Sequence, residues 1–397
     1  MKIGIYAHWN VVQDAGRVFT VGCNARYLRH FLDMTDGVRL FTTLAANPHT
    51  QNLDCIRDPR LEVVPVPGGN YASAWLRQRE LRRTVESHLD GLDALYVRLF
   101  DPCPWVVARP CEARGIGLVF DMVGDPVAGI WHRRDWSLTG RLVRRLMFLP
   151  EEILTFRAAR RHLLLLNGGT IAASYGRRHP APETVFSSTL EPGDFFLRQD
   201  TCQGDIITVL YVGMLRPAKG VETLLDAVAS LLREGRPIRL RIVGGGDPPA
   251  YVASLRARIR EAALDEYVEL VGFVALGERL NTEYRSADIY AFPSMTEGAA
   301  RTLLEAAAQS LPCVMTDVGG ARDLFCDGES ALLVPPGDPE AMSRAIARLI
   351  DDEKLRRRCI RNAYQVAARN TCRDFIHSMV RRLAASRARY GIEHDAA

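Results

Sequence analysis

The sequence predicts an α/β protein built from two successive doubly wound parallel-sheet domains. Three observations carry this reading. Short β-rich runs alternate with amphipathic segments, the pattern of a parallel sheet with helices on its faces. The alternation breaks once, around Pro180, Pro182, Pro192, Gly193 and Gly204, and then restarts. The chain is 397 residues long, 47% hydrophobic and 25% charged, enough for two or three cores of ordinary composition.

The elements follow in order. In the first half, Lys2–Ala7, Val38–Thr42, Leu61–Val66, Ala94–Val97 and Leu118–Phe120 read as strands, and 24–34, 72–89 and 103–114 as helices. Residues 180–205 read as the interdomain linker. In the second half, Ile206–Val212, Leu240–Val243, Val268–Leu270, Ile289–Phe292, Cys313–Thr316 and Ala331–Val334 read as strands. Helices fit 221–234, 249–263, 301–310, 338–350 and 353–368. The expected domains are 1–195 and 205–370, with a last helix near 373–392 free to pack back on the first. Ligands of such sheets bind beyond the carboxyl ends of the strands.

Composition narrows the function classes. The net charge of +4 is too small to indicate nucleic acid. All of that excess lies in residues 1–200, and only Lys2, Lys219 and Lys354 are lysines. Nine scattered cysteines without a CxxC or zinc spacing fit a reduced, cytoplasmic protein. The N-terminal apolar run is strand-sized, and no stretch of 18 apolar residues suggests a membrane span.

Three strand-to-loop segments could carry chemistry. In Ser294–Glu305, a carboxylate (Glu297), three small residues (Gly298, Ala299, Ala300) and a helix start precede a second carboxylate, Glu305. Free amides at a helix start suit phosphate oxygens, and carboxylates suit sugar hydroxyls. The residues alone equally allow Glu297 to be a helix cap and Glu305 a solvated helix residue. Leu210–Gly220 ends a strand at Gly213 and presents Arg216 and Lys219, suited to a diphosphate. Val243–Asp247 adds Gly244 in a glycine-rich turn. The chain has no Asp-x-Asp, GxGxxG, Walker A, HExxH or GxSxG pattern.

Together these segments resemble the family 4 retaining glycosyltransferases, bacterial polysaccharide-assembly members among them. The strings SMTEGAARTLLEAAA, VMTDVGGARDLFCDGESALLVPPGDPEAM, LYVGMLRPAKGVETLLDA and GLVFDMVGDPVAG carry the likeness. It implies the GT-B fold, two Rossmann-like domains facing across a cleft, and a metal-independent, cofactor-free transfer of a hexosyl group. The donor would be a nucleotide-diphosphate sugar, a UDP-sugar ahead of a GDP-sugar. It implies that Glu297, with the backbone at Ala299 and Ala300, holds the donor sugar, and that Glu305 holds the ribose. Thr302 and Lys219 would meet the diphosphate near Gly16, and Phe273 and Val274 the base. Many members carry Arg where this chain has Met214, and His where it has Asp121. Asp121 would position a sugar or acceptor hydroxyl.

Residues 131–162 hold eight arginines against three acids, interleaved with Trp, Leu, Met and Phe. Such a segment fits an anionic membrane surface and a lipid-linked or glycan acceptor. It equally fits a helix pair with a solvated arginine face. Two competing functions stay open: a sugar-nucleotide epimerase on the same architecture, and a non-catalytic nucleotide-sugar binder, which Met214 keeps open.

Overall fold

The computed structural model describes residues 1–45, 53–131, 136–246, 249–297 and 301–394, the side chains only to 387. It divides into two compact units. The first comprises Met1–Val127, Leu138–Thr189 and Cys372–Ala397, and the second Ala128–Ser137 and Leu190–Thr371.

The strands of the first unit are β1 (Lys2–Tyr6), β2 (Val12–Asp14), β3 (Arg17–Thr20), β4 (Gly37–Thr42), β5 (Asp54–Ile56), β6 (Leu61–Pro65), β7 (Ala94–Leu99), β8 (Gly117–Met122), β9 (Leu163–Asn167) and β10 (Pro182–Val185). Seven form a parallel sheet in the order β10-β9-β8-β7-β1-β4-β6. The central strands are covered on both faces, so their sequences run apolar without alternation. Along β8, Leu118, Phe120 and Met122 join one core, while Val119 joins the other. That second core includes Ile376, Met379 and Leu383 of the last helix, Cys372–His394. The helix lies close on β8: a side chain at Gly117 would meet the Arg387 amide at 2.5 Å.

Several elements escaped the sequence pattern, β9 and helices Gly169–Tyr175 and Glu278–Arg285 among them. Strand β10 falls inside the stretch read as linker, and it begins on Pro182. It pairs only with β9, so the N–H missing from proline breaks no ladder. A small antiparallel sheet, β2-β3-β5, is built from strands of three or four residues, too short to show a period.

The second unit has six parallel strands: β11 (Ile207–Val212), β12 (Ile238–Val243), β13 (Val268–Gly272), β14 (Ile289–Phe292), β15 (Cys313–Thr316) and β16 (Leu332–Val334). Their order is β13-β12-β11-β14-β15-β16. The chain winds outward from β11 on one side and from β14 on the other. The strand order therefore reverses between β11 and β14, which makes the carboxyl ends of this pair a topological switch point. Helix Val221–Arg233 follows β11, and helix Arg301–Ala308 follows β14.

Candidate active site

Two loops leave the switch point and are bonded to each other. The first runs from Gly213, after β11, through the short turn Pro217–Lys219 to Gly220. The second runs from Pro293, after β14, to Glu297. Met295 donates its amide to the Ala218 carbonyl at 2.9 Å. The Ser294 hydroxyl lies 2.9 Å from the Thr296 carbonyl and 3.4 Å from Glu297 Oε2. Thr316 Oγ1 donates to the Ser294 carbonyl at 2.6 Å, which ties the second loop to β15. Gly220 has a left-handed φ of 62°, and a Cβ there would stand 2.2 Å from the Pro293 carbonyl. Only glycine lets the two loops approach this closely.

This approach brings Lys219 and Glu297 together. Lys219 Nζ donates to Glu297 Oε2 in an ion pair whose side chains are both mostly buried. The ammonium also lies 5.8 Å from the centre of the Phe292 ring, where the ring quadrupole favours a cation. Arg216, just before the turn, is exposed and enters no ion pair among the described residues. Met214 is exposed as well. Its carbonyl accepts from the buried Tyr211 hydroxyl at 3.1 Å, so the backbone here is set from beneath.

The remaining sequence-derived positions of this unit lie around the same strand ends. Gly213 and Gly244 directly follow β11 and β12, and a Cβ on Gly244 would overlap the Gly213 carbonyl at 1.8 Å. Phe273 is exposed and Val274 half-buried, just beyond β13. Thr302 and Glu305 are half-buried in helix Arg301–Ala308. Gly298, Ala299 and Ala300 lie outside the described residues. Sequence reasoning missed Tyr284. It is wholly buried, and its hydroxyl donates to Glu305 Oε2 at 2.9 Å and lies 3.5 Å from the Thr302 carbonyl. A tyrosine in an amphipathic helix reads simply as core, so nothing in its spacing marks it as the group that fixes a carboxylate.

The other two positions belong to the first unit. Gly16 is at the exposed tip of the β2–β3 hairpin. Asp121 is on β8, fully buried, on the same face as Val119. Its Oδ2 accepts from the Tyr96 hydroxyl at 2.6 Å, while Oδ1 has no partner. Burial pushes its pKa up to about 6, although the Tyr96 hydrogen bond and the Arg98 charge pull the other way. As it stands, the carboxyl is sealed from solvent.

The raised pKa fixes a sign. The folded chain binds this proton more tightly than the unfolded one, so its share of stability is present near pH 4 and is lost as pH rises to about 6. A rise of this size corresponds to about 3 kcal/mol. Asp121→Asn is expected to gain about that much on the wild type between pH 4 and pH 7, measured by urea midpoints. Parallel curves for the two proteins would refute the raised pKa.

Residues 197–366 match the family model "Glycosyl transferases group 1". An α-D-kanosaminyltransferase of Streptomyces kanamyceticus is 34% identical over 160 residues, 40% of each chain. The chain spans about two fifths of the length of the curated relatives it matches. Over nearly the whole chain the likeness is structural. Anabaena HepE, crystallised with UDP, superposes with a TM-score of 0.71 at 18% identity, over 97% of this chain and all of that one. Sucrose-phosphate synthase from Thermosynechococcus elongatus gives 0.72 at 19%, over 96% and 97%. Residues 197–366 thus match a glycosyl transferases group 1 domain, within a chain of the two-domain GT-B fold.

Proposed function

We propose that the protein is a retaining glycosyltransferase of the family 4, polysaccharide-assembly type. It would move a hexosyl group from a nucleotide-diphosphate sugar, a UDP-sugar ahead of a GDP-sugar, to a hydroxyl of a glycan or lipid-linked acceptor at the cytoplasmic face of a membrane. The observation that carries this reading is the meeting of Lys219 with Glu297 at the switch point of the second sheet. A cation beside a sugar-binding carboxylate, next to a helix start, is what a sugar diphosphate requires. HepE, of like fold, was crystallised with UDP and with UDP-glucose, which supports a UDP donor here.

In this reading the bond from the anomeric carbon to the diphosphate oxygen breaks, and its electron pair leaves with the diphosphate. Lys219, Arg216 and the amides that open helix Arg301–Ala308 meet the growing charge, so no metal or other cofactor is assigned a role. Glu297 releases Lys219 to the phosphates and turns to the sugar hydroxyls. Tyr284 holds Glu305 toward the ribose. The acceptor oxygen bonds the same face of the anomeric carbon and passes its proton to the departing diphosphate oxygen, which retains configuration and balances the transfer.

Incubation with a panel of labelled UDP- and GDP-sugars and a mixed glycan or lipid-linked acceptor pool tests this. Label transferred to acceptor with the anomeric configuration kept is expected. Isomerised donor would replace the reading with an epimerase, and binding without turnover would replace it with a binding protein, the alternative that Met214 keeps open.

A further inference from the structure

Helix Leu138–Ala159 is built inside out. Its inward side carries charge: Glu151 and Glu152 are both buried. Glu152 accepts from Arg145 at 2.6 Å and also pairs with Arg178. Its outward side is apolar. Leu138, Leu142, Val143, Leu146, Met147 and Ile153 are 49% to 71% exposed. At 100° per residue they span one half-turn of the helix surface, opposite Glu151, Thr155 and Ala159. Phe148 turns inward, its ring 5.7 Å from Tyr71 and 5.3 Å from Phe100. Leu76, also exposed, ends the adjacent short helix Tyr71–Leu76.

We propose that this outward face docks on an anionic lipid bilayer, lying flat in the interfacial layer. Charge chooses the occupant. One turn beyond Ile153 the same side continues as Arg157, and the turn that follows the helix adds Arg160 and Arg161, all three exposed. Among the described residues of 136–161, the two acids are the buried Glu151 and Glu152. The outward face thus offers apolar groups, the Thr139 hydroxyl and cations but no carboxylate, which matches acyl chains and phosphate headgroups. A second copy would bring the same cations and no acid to pair them. The apolar run from 138 to 153 is about 22 Å long. No described helix is long and apolar enough to cross a membrane, so the contact is peripheral. The inference deepens the membrane-side reading above but stands on the helix alone.

The test uses the full chain without donor or acceptor. It should co-sediment with vesicles of mixed phosphatidylcholine and phosphatidylglycerol, and release as salt rises. The variant Leu142→Gln/Leu146→Gln/Met147→Gln alters only exposed side chains, so its thermal unfolding should match the wild type. Its vesicle partitioning should fall at least about tenfold. Arg157→Gln/Arg160→Gln/Arg161→Gln should lose binding to anionic vesicles at low salt. A wild type that stays in the supernatant, or a triple-Gln variant that binds equally well, would overturn the proposal. A dimer in sedimentation velocity that the triple-Gln variant abolishes, without vesicle binding, would reassign the face to self-association. Transfer to a soluble acceptor, assayed separately, keeps a failed membrane contact distinct from a failed enzyme reading.

Discussion

Lys219→Ala is expected to lower sugar transfer by at least about a thousandfold, equivalent to roughly 4 kcal/mol of transition-state stabilisation. The size follows from position. Lys219 sits between the two loops of the switch point, with its ammonium on Glu297 and over the Phe292 ring. A cation held there before the donor arrives needs little reorganisation as charge builds on the leaving diphosphate. Its loss should therefore appear mainly in kcat, with a smaller rise in donor KM. Lys219→Arg should recover part of the rate, since charge returns with a different geometry. The fold should change little. The variant removes one mostly buried ion pair, and Glu297 keeps the Ser294 hydroxyl 3.4 Å from its Oε2. Single-turnover transfer and thermal unfolding, measured on the same preparations, separate the two effects. Turnover within a few fold of wild type would remove Lys219, and with it the proposed mechanism.

This pair also shows what was legible in the sequence. β11 and β14 announce themselves as apolar runs, and the segments after them stand out by residue type. Lys219 is one of three lysines, and Glu297 precedes small residues and a helix. Their meeting was implied by a family resemblance, not by spacing, because 78 residues separate them. It depends on the strand order and on one glycine at Gly220. Tyr284 was invisible for a different reason: a buried aromatic packs whether or not its hydroxyl holds a carboxylate. Asp121 stood out as a polar residue at the end of an apolar strand. Its burial depends on the last helix, some 260 residues further on, packing over β8. The outward face of helix Leu138–Ala159 was half legible. Arginines and apolar residues are interleaved in the sequence, but which of them face outward follows from Glu151 and Glu152 pointing in, against every rule of amphipathic patterning.

Glu151→Ala should destabilise the first unit by about 4 kcal/mol. Glu151 Oε1 accepts the Cys103 amide at 2.7 Å, and Oε2 accepts the Trp75 and Trp105 indole N–H groups at 2.8 and 3.0 Å. Burial raises the pKa of this carboxyl, and the same three donors draw it back down. The carboxyl is thus the common acceptor of three donors, the buried Cys103 amide and the indoles of two partly buried tryptophans. Cys103 adopts a left-handed φ of 55°, and the two indole rings lie 5.6 Å apart around the same oxygen. Truncation strands all three donors at once, and each unmet buried donor costs about 1–3 kcal/mol. Glu151→Gln keeps an acceptor at one position and should lose roughly half as much. Urea midpoints measure the loss, and Trp75 and Trp105 emission reports it locally. The change also bears on the outward face, because Glu151 fastens the middle of helix Leu138–Ala159 while its apolar side stands in water. A helix loosened at this point should roll that side inward, lowering vesicle binding even though no outward residue has changed. An unshifted midpoint with unchanged tryptophan emission would show that the three donors find other partners, and that the helix is held by Phe148 and Phe156 instead.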